Sequence, residues 1–573
     1  MYTGPIEPLP GPIARRPDRA AGGVTEAAVP LPAVTPRRMR RTSLMNRKTL
    51  VLPAVAALLT PLLAACGGGD EGRAIVVGTT DQFVATEDAP APLDPAFAYD
   101  TGAWNILRQT VQTLMHVPRG GGRPVPEAAE SCAFSDKESE SYRCTLRAGL
   151  TFADGTPVTA EDVRFSVERV LAIKSDNGTA ALLSNIDTVE TKGEREIVFH
   201  LKTPDATFPY KLSTPVAGIL SKDKYEAKAL REGFEVDGSG PYTMKAETAG
   251  DKVTSFVFTK NPRYKGDITL RNDRVELRTF DDADGMDDAL RGDDIDMAAR
   301  AMSQKQIREL TEKPEQGIEL TEVPGLEIRY LGFNTKAPAV QDKAVRQAMA
   351  TVVDRGALVD EVYGPTAQPL YSLIPASVTG HATSFIDTYG EPNTPKAAKI
   401  LRDAGVKTPV KVTLHYTTDH YGAETAKEFQ ALRGQLNATE LFDVQVQGTE
   451  WSKFRPAQKR GDYAVYGLGW FPDYPDPDNY VAPFLDADNF LNTPYVNQSV
   501  RDELIPQSRR QADRTAVAPV FERIQKIVAK DVPVLPLWQG KQYVAARDDV
   551  TGVEWALNTS SDLLLWELGR GTA

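Results

Sequence analysis

Histidine and cysteine are scarce in this chain, five of the first and three of the second in 573 residues. The histidines, at positions 116, 200, 381, 415 and 420, are scattered, and His415 with His420 lacks the spacing and the glutamate of a zinc protease. No Gly-x-Ser-x-Gly nucleophile elbow occurs, and the glycines of "GSGPY" are not followed by the Lys-Ser/Thr of a phosphate-binding loop. The acidic segment 281–297, "DDADGMDDALRGDDIDM", fails as a calcium loop because Gly285 is out of register and Arg291 stands where the closing glutamate belongs. It reads as a solvated helix leading into a strand. Basic excess is also missing: 66 Lys and Arg face 78 Asp and Glu, and the net charge of −12 opposes a nucleic-acid partner. These absences point to a non-enzymatic protein without a metal or cofactor.

Long apolar runs are limited to one. "MRRTSLMNRKTLVLPAVAALLTPLLAACGGGD" sets a basic flank before residues 50–65, an apolar stretch broken by Pro53 and Pro61 and too short for a comfortable membrane span. That is the pattern of an export signal. Leu63-Ala64-Ala65-Cys66 resembles the lipobox of bacterial lipoproteins, which implies lipidation of Cys66 and an extracytoplasmic location on the membrane. Residues 1–65 are thus read as an upstream extension with a signal peptide, and 66–72 as a tether. Arg40-Arg41 leaves the twin-arginine route open beside the general one. Cys132 and Cys144 remain, twelve residues apart across the polar "SDKESES". In an oxidising compartment a hairpin there predicts a disulfide.

The mature chain is too long for one hydrophobic core, so two or three lobes with a cleft between them are expected. "AIVVGTT" reads as a buried strand. "TAEDVRFSVERVL" begins a helix, with Thr159 as N-cap, Asp162 three positions on, and Val163, Val167, Val170 and Leu171 on one face. "QDKAVRQAMATVVDRGALV" reads as a second helix capped by Asp342 and burying Val345, Met349, Val352 and Val353. The strands "SFVFTK", "RVELRTF" and "EIRYLGFN" make the class mixed α/β.

Five segments then read together: 146–171, 238–244 ("GSGPYTM"), 260–266 ("KNPRYKG"), 330–355 and 467–484 ("GLGWFPDYPDPDNYVAPF"). In this order they resemble the family 5 extracellular solute-binding proteins, the peptide, dipeptide and nickel receptors of ABC importers. The resemblance implies a three-lobed, two-hinged periplasmic-binding-protein-like fold of type II. Lobe I would comprise 73–117, 218–325 and 525–573, lobe II 118–217 and lobe III 326–524. It also implies a peptide ligand, permease and ATPase subunits as partners, a monomeric receptor and no catalysis, with a nickel complex, haem, opine or oligosaccharide as the alternative ligand.

The stretch 469–480, "GWFPDYPDPDNY", crowds three acids, three prolines and four aromatics. By position in the family motif, Asp473 is the carboxylate that receives a peptide's α-ammonium. The prolines pre-set backbone angles beside it, and Asp476 and Asp478 are expected to cap turns. The resemblance further implies strand addition of the peptide to main-chain groups of Gly467, Leu468, Gly469 and Trp470, and on the opposite lobe of Tyr99, Asp100 and Thr101. Trp470 lines a pocket or belongs to the core. No basic residue stands out as the receiver of a ligand's C-terminal carboxylate.

Overall fold

The computed structural model describes residues 74–175, 178–422, 424–487, 489 and 491–571. The expected signal peptide, Cys66 and the tether lie outside them. Two larger sheets and three large hydrophobic cores organise the described chain, beside two two-stranded ribbons and a smaller cluster around Met286 and Leu290. The large mixed sheet runs Phe442–Thr449, Val410–Thr417, Val465–Trp470, Ile318–Phe333, Val534–Arg547, Met297–Ala299, Ile75–Thr79, Arg274–Thr279, Lys252–Lys260, Tyr242–Ala249, with Ala367–Pro369 also paired to Val534–Arg547. A four-stranded antiparallel sheet, Ala129–Phe134, Ser141–Leu146, Glu196–Leu201 and Ile186–Lys192, carries the third core.

Local signals account for the elements. Helix Ala160–Ile173 starts from Thr159, whose capping box with Asp162 satisfies the first free N–H groups. It turns Val163, Val167 and Val170 onto the small sheet. The register of the first hairpin sets Cys132 opposite Cys144, and the two form a disulfide with Cα atoms 4.1 Å apart. The acidic segment forms helix Ala283–Arg291 before strand Met297–Ala299. The helix expected over "QDKAVRQAMATVVDRGALV" is instead two, Lys343–Val352 and Arg355–Val362. Val353 is extended, Asp354 caps the second helix through Ala357 N–H, and Gln435 holds both backbone groups of Asp354 at 2.9 and 3.0 Å.

Two long strands join the lobes. Ile318–Phe333 and Val534–Arg547 pair antiparallel from Ile318 with Arg547 to Gly332 with Val534, and the register slips between Pro324 and Ile328. There residues 325–327 face Gly540, and a Cβ on Gly325 would lie 2.6 Å from the Gly540 carbonyl oxygen. Only glycine permits so close a crossing. Beyond it, Leu326, Ile328 and Tyr330 join one core, whereas Val544 and Ala546 lie in the other. The expected lobe boundary at 525 falls within helix Ala518–Asp531, whose Ile524, Val528 and Ala529 pack with residues 326–538, and the chain crosses between cores at Gly540.

Candidate functional site

Asp473 follows the end of strand Val465–Trp470 and reaches Tyr99, which packs on Trp104 of another core. Its Oδ1 accepts from the Tyr99 hydroxyl at 2.9 Å, and its Oδ2 from Asn479 Nδ2 at 3.0 Å. Asn479 Oδ1 takes the Asp473 N–H at 3.0 Å and the Trp470 indole N–H at 3.3 Å, so one amide fixes the turn and aims the carboxylate. Burial pushes the Asp473 carboxyl above its usual range, and Asn479 and Tyr99 oppose that shift. Burial, then the adjacent carboxylate, holds the Tyr99 hydroxyl well above its ordinary value. No cation lies within ion-pair distance of Asp473 among the described residues.

The other expected residues divide by role. Asp100 is the N-cap of helix Thr101–Thr110 and accepts from Ala103 N–H at 2.8 Å, so its carboxylate holds Tyr99 at the helix entrance. Thr101 opens that helix. Leu468 is buried in the third-lobe core. Trp470 is buried in the same core, packed edge-on against Phe484 at 6.1 Å. Alternation along the strand turns its side chain away from the Gly469 face, and it acts on the site through Asn479. Gly467 and Gly469 lack side chains because other groups fill that space: a Cβ would meet Phe429 at 2.2 Å and the Arg329 guanidinium at 1.8 Å, respectively.

The strand itself is half paired. One edge matches Ile318–Phe333 along its length, whereas Val410–Thr417 reaches only Val465 and Tyr466 on the other. From Gly467 to Trp470 the second edge has no strand partner among the described residues, and the Tyr421 ring lies beside it over the Arg329 guanidinium, 3.9 Å from Cζ. Beside it, Arg329 stands across from Gly469 and is ion-paired with Glu327. Burial raises the Glu327 carboxyl, with Arg329 and Arg300 opposing, and Arg300 is itself 3.1 Å from Asp81.

Sequence reading missed Asn479, Tyr421, Glu327 and Arg329. Glu327 and Arg329 carried a usable signal, two opposite charges two apart on one face of the otherwise apolar stretch 323–333. It also understated Asp476 and Asp478. Asp476 does cap its turn through Asp478 N–H at 2.9 Å, but it also binds Arg514 bidentately at 2.7 and 2.8 Å, and Asp478 pairs with Arg509 at 3.3 Å. This pins the proline-rich segment from behind. On the same side Ala206 N–H donates to the Arg509 carbonyl at 2.7 Å and Tyr210 stacks on Tyr474 at 5.8 Å, so the small-sheet lobe touches the third lobe next to Asp473.

Lobes joined by two crossing strands, with an enclosed carboxylate and a half-paired strand at their junction, define a receptor that holds a solute between lobes. The chain belongs to the bacterial extracellular solute-binding proteins, family 5, whose middle-region profile matches residues 123–492. It is 26% identical to the probable D,D-dipeptide-binding periplasmic protein DdpA of Escherichia coli over 81% of this chain and 89% of that one. It is 24% identical to the oligopeptide-binding protein OppA of Bacillus subtilis over 86% and 94%. Among solved structures, HbpA2 of Haemophilus parasuis superposes with a TM-score of 0.73 at 21% identity, covering 87% of this chain and 100% of that one. The fold is the type II periplasmic-binding class, and the protein is a binding receptor, not an enzyme.

Proposed function

We propose that this protein is the extracytoplasmic receptor of an ABC importer, capturing peptides between its lobes and presenting the closed form to a permease driven by ATPase subunits. The observation that carries the reading is Asp473: an enclosed carboxylate, oriented by Asn479, reached from the opposite lobe by Tyr99 and without a protein cation among the described residues. An α-ammonium supplies the missing charge and donates charge-assisted hydrogen bonds. The peptide backbone adds along Gly467, Leu468, Gly469 and Trp470, and is faced by main-chain groups of Tyr99 to Thr101. The relatives named for dipeptide and oligopeptide binding support the same ligand class. The receptor works as a monomer held to the membrane by lipid on Cys66. Closure follows from the ligand's greater affinity for the closed arrangement.

Native mass spectrometry of protein purified from a bacterial host, then denatured to release its cargo, tests the reading. A series of peptide masses that disappears in Asp473→Ala supports it. A single non-peptide mass indifferent to that substitution refutes the peptide assignment and leaves a receptor for another solute.

A further inference from the structure

Helix Ile505–Arg510 ends in the third lobe with carbonyls that no further turn of helix can satisfy. Three in succession are nonetheless engaged. Ser508 accepts from Arg514 Nη1 of its own lobe at 2.6 Å, whereas Arg509 accepts from the Ala206 N–H at 2.7 Å and Arg510 from the Ser139 hydroxyl at 3.2 Å. Ala206 and Ser139 belong to the small-sheet lobe, and both are buried. Ser139 lies at the tip of the disulfide-stapled hairpin, and its carbonyl accepts from the Asp205 N–H at 2.9 Å. Beside them Tyr210 stacks on Tyr474, the residue directly after Asp473, at 5.8 Å. Each face is organised without the other. The Asp205 carboxylate accepts from the Thr207 N–H, the Thr207 hydroxyl and Lys211, at 3.1, 2.6 and 2.6 Å, all within the small-sheet lobe. Across the boundary Asp476 and Asp478 are already held by Arg514 and Arg509. What joins the faces is two hydrogen bonds to main-chain carbonyls, the ring pair with a long Thr207–Tyr474 contact at 3.5 Å, and the exposed ion pairs Arg123–Asp513 and Glu138–Arg510, which contribute little.

The small-sheet lobe is fastened to the Tyr99 side of the molecule. Arg169 binds Asp94 through two hydrogen bonds, and Gln112 and Tyr264 hold Glu127. A third lobe swinging away from Tyr99 must therefore also leave Ser139, Ala206 and Tyr210. We propose that the small-sheet lobe is a clasp for the closed receptor: these three residues seize the third lobe behind Asp473, position the segment that carries it, and slow the release of ligand. The inference rests on the receptor reading, in which the lobes close on a solute. Opening hands the Arg509 and Arg510 carbonyls to water, so each bond across the boundary contributes only a modest net amount and the clasp can part. Tyr210 acts through Tyr474 and is a positioning residue for Asp473.

Amide-resolved hydrogen exchange on the full chain tests the clasp without any ligand. The Ala206 amide should exchange by separation of the two faces, and so faster than the amides of the central strand Glu196–Leu201, which exchange only when the sheet opens. Tyr210→Leu should speed Ala206 exchange about 2- to 10-fold, the loss of one aromatic pair, and leave the strand amides unchanged. Tyr210→Phe keeps the ring and should behave as wild type. Ser139→Gly removes the hydroxyl and suits the positive φ of 61° at that position, so it should act in the same direction even where Tyr210→Leu fails to fold. Ala206 and the strand amides exchanging at one rate, or accelerated alike in both variants, would mark a permanent seam and overturn the proposal. A randomised tripeptide pool then reads release: the chain is loaded, diluted, and its bound masses followed by native mass spectrometry. The pool should leave the variants faster by the same factor, with its loading rate unchanged. Release at the wild-type rate despite faster Ala206 exchange would overturn the clasp's part in holding cargo. A pool that fails to load wild-type protein would count against the peptide reading alone, because hydrogen exchange decides the clasp by itself.

Discussion

Arg169 and Arg329 are both nearly inaccessible to solvent, and they differ in what their donors meet. Arg169 lies in helix Ala160–Ile173 and gives two hydrogen bonds to Asp94, at 2.8 and 2.6 Å, one to the Glu226 carbonyl and one to the Ala229 carbonyl. Asp94 in turn accepts from the N–H groups of Ala96 and Arg231. That network is closed, and it fastens the segment leading to Tyr99 onto the small-sheet lobe. Arg329 has Glu327, three aromatic faces and an open rim. Burial alone therefore does not distinguish the two guanidiniums; the count of satisfied donors does.

The largest way to break this contrast is Asp94→Ala. It strands a fully buried guanidinium and should cost about 3–5 kcal/mol in urea unfolding. Removing the charge of Arg329 should cost less than half of that, because Glu327 is partly exposed and burial already favours its protonated form. Equal losses at the two sites would make Arg329 a second fastener.

Asp473→Asn sharpens the comparison from the binding side. Peptide affinity should fall by about 2–5 kcal/mol, the range for losing one partner of a buried charge pair, with little loss of stability. The pH dependence follows from the raised carboxyl. On the proposed reading, Asp473 is ionised above the folded-state value and holds the ammonium; as pH falls through that value it takes a proton and affinity is lost. Because the value is raised, the loss should begin above the ordinary aspartate range near ~3.9. In Asp473→Asn the acid limb should be absent.

Glu127 gives a third, smaller contrast, a buried carboxyl that is satisfied but still unfavourably placed when ionised. It accepts from Tyr264 at 2.6 Å and Gln112 at 2.9 Å, and burial pushes it from 4.5 up to about 7. Between those values the folded form keeps a proton that the unfolded chain has released, so stability falls as pH rises from about 4.5 to 7. Glu127→Gln removes that dependence. It should gain up to about 3 kcal/mol over wild type at pH 8 and nothing below pH ~4, read from urea midpoints at the two pH values.

Much of the fold could be read before the structure because its signals are local. Thr159 with Asp162, the alternation around Cys132 and Cys144, and the acidic run before Met297 each act within a few residues. Asp473 was singled out by its place in a motif. What escaped depends on distant partners. The crossing at Gly540 exists because Gly325 meets it, Asp476 is held by Arg514, and the break after Val352 is imposed by Gln435 from another helix. Arg329 was read only as part of a strand, since periodicity places a side chain on a face and cannot count its hydrogen bonds.

The smallest expected effect concerns Tyr99, whose hydroxyl joins the lobes through Asp473. An ionised carboxylate offers about four acceptor sites. Tyr99 and Asn479 occupy one on each oxygen, so an ammonium can join them without displacing either. Tyr99→Phe then removes a hydrogen bond that favours the anion. Peptide affinity should drop by about 1 kcal/mol, and the acid limb of the binding profile should move to higher pH. Tighter binding in Tyr99→Phe would instead mark the hydroxyl as a competitor that the ligand must expel. The Tyr99–Asp473 bond would then belong to the empty receptor, holding the lobes together in place of cargo.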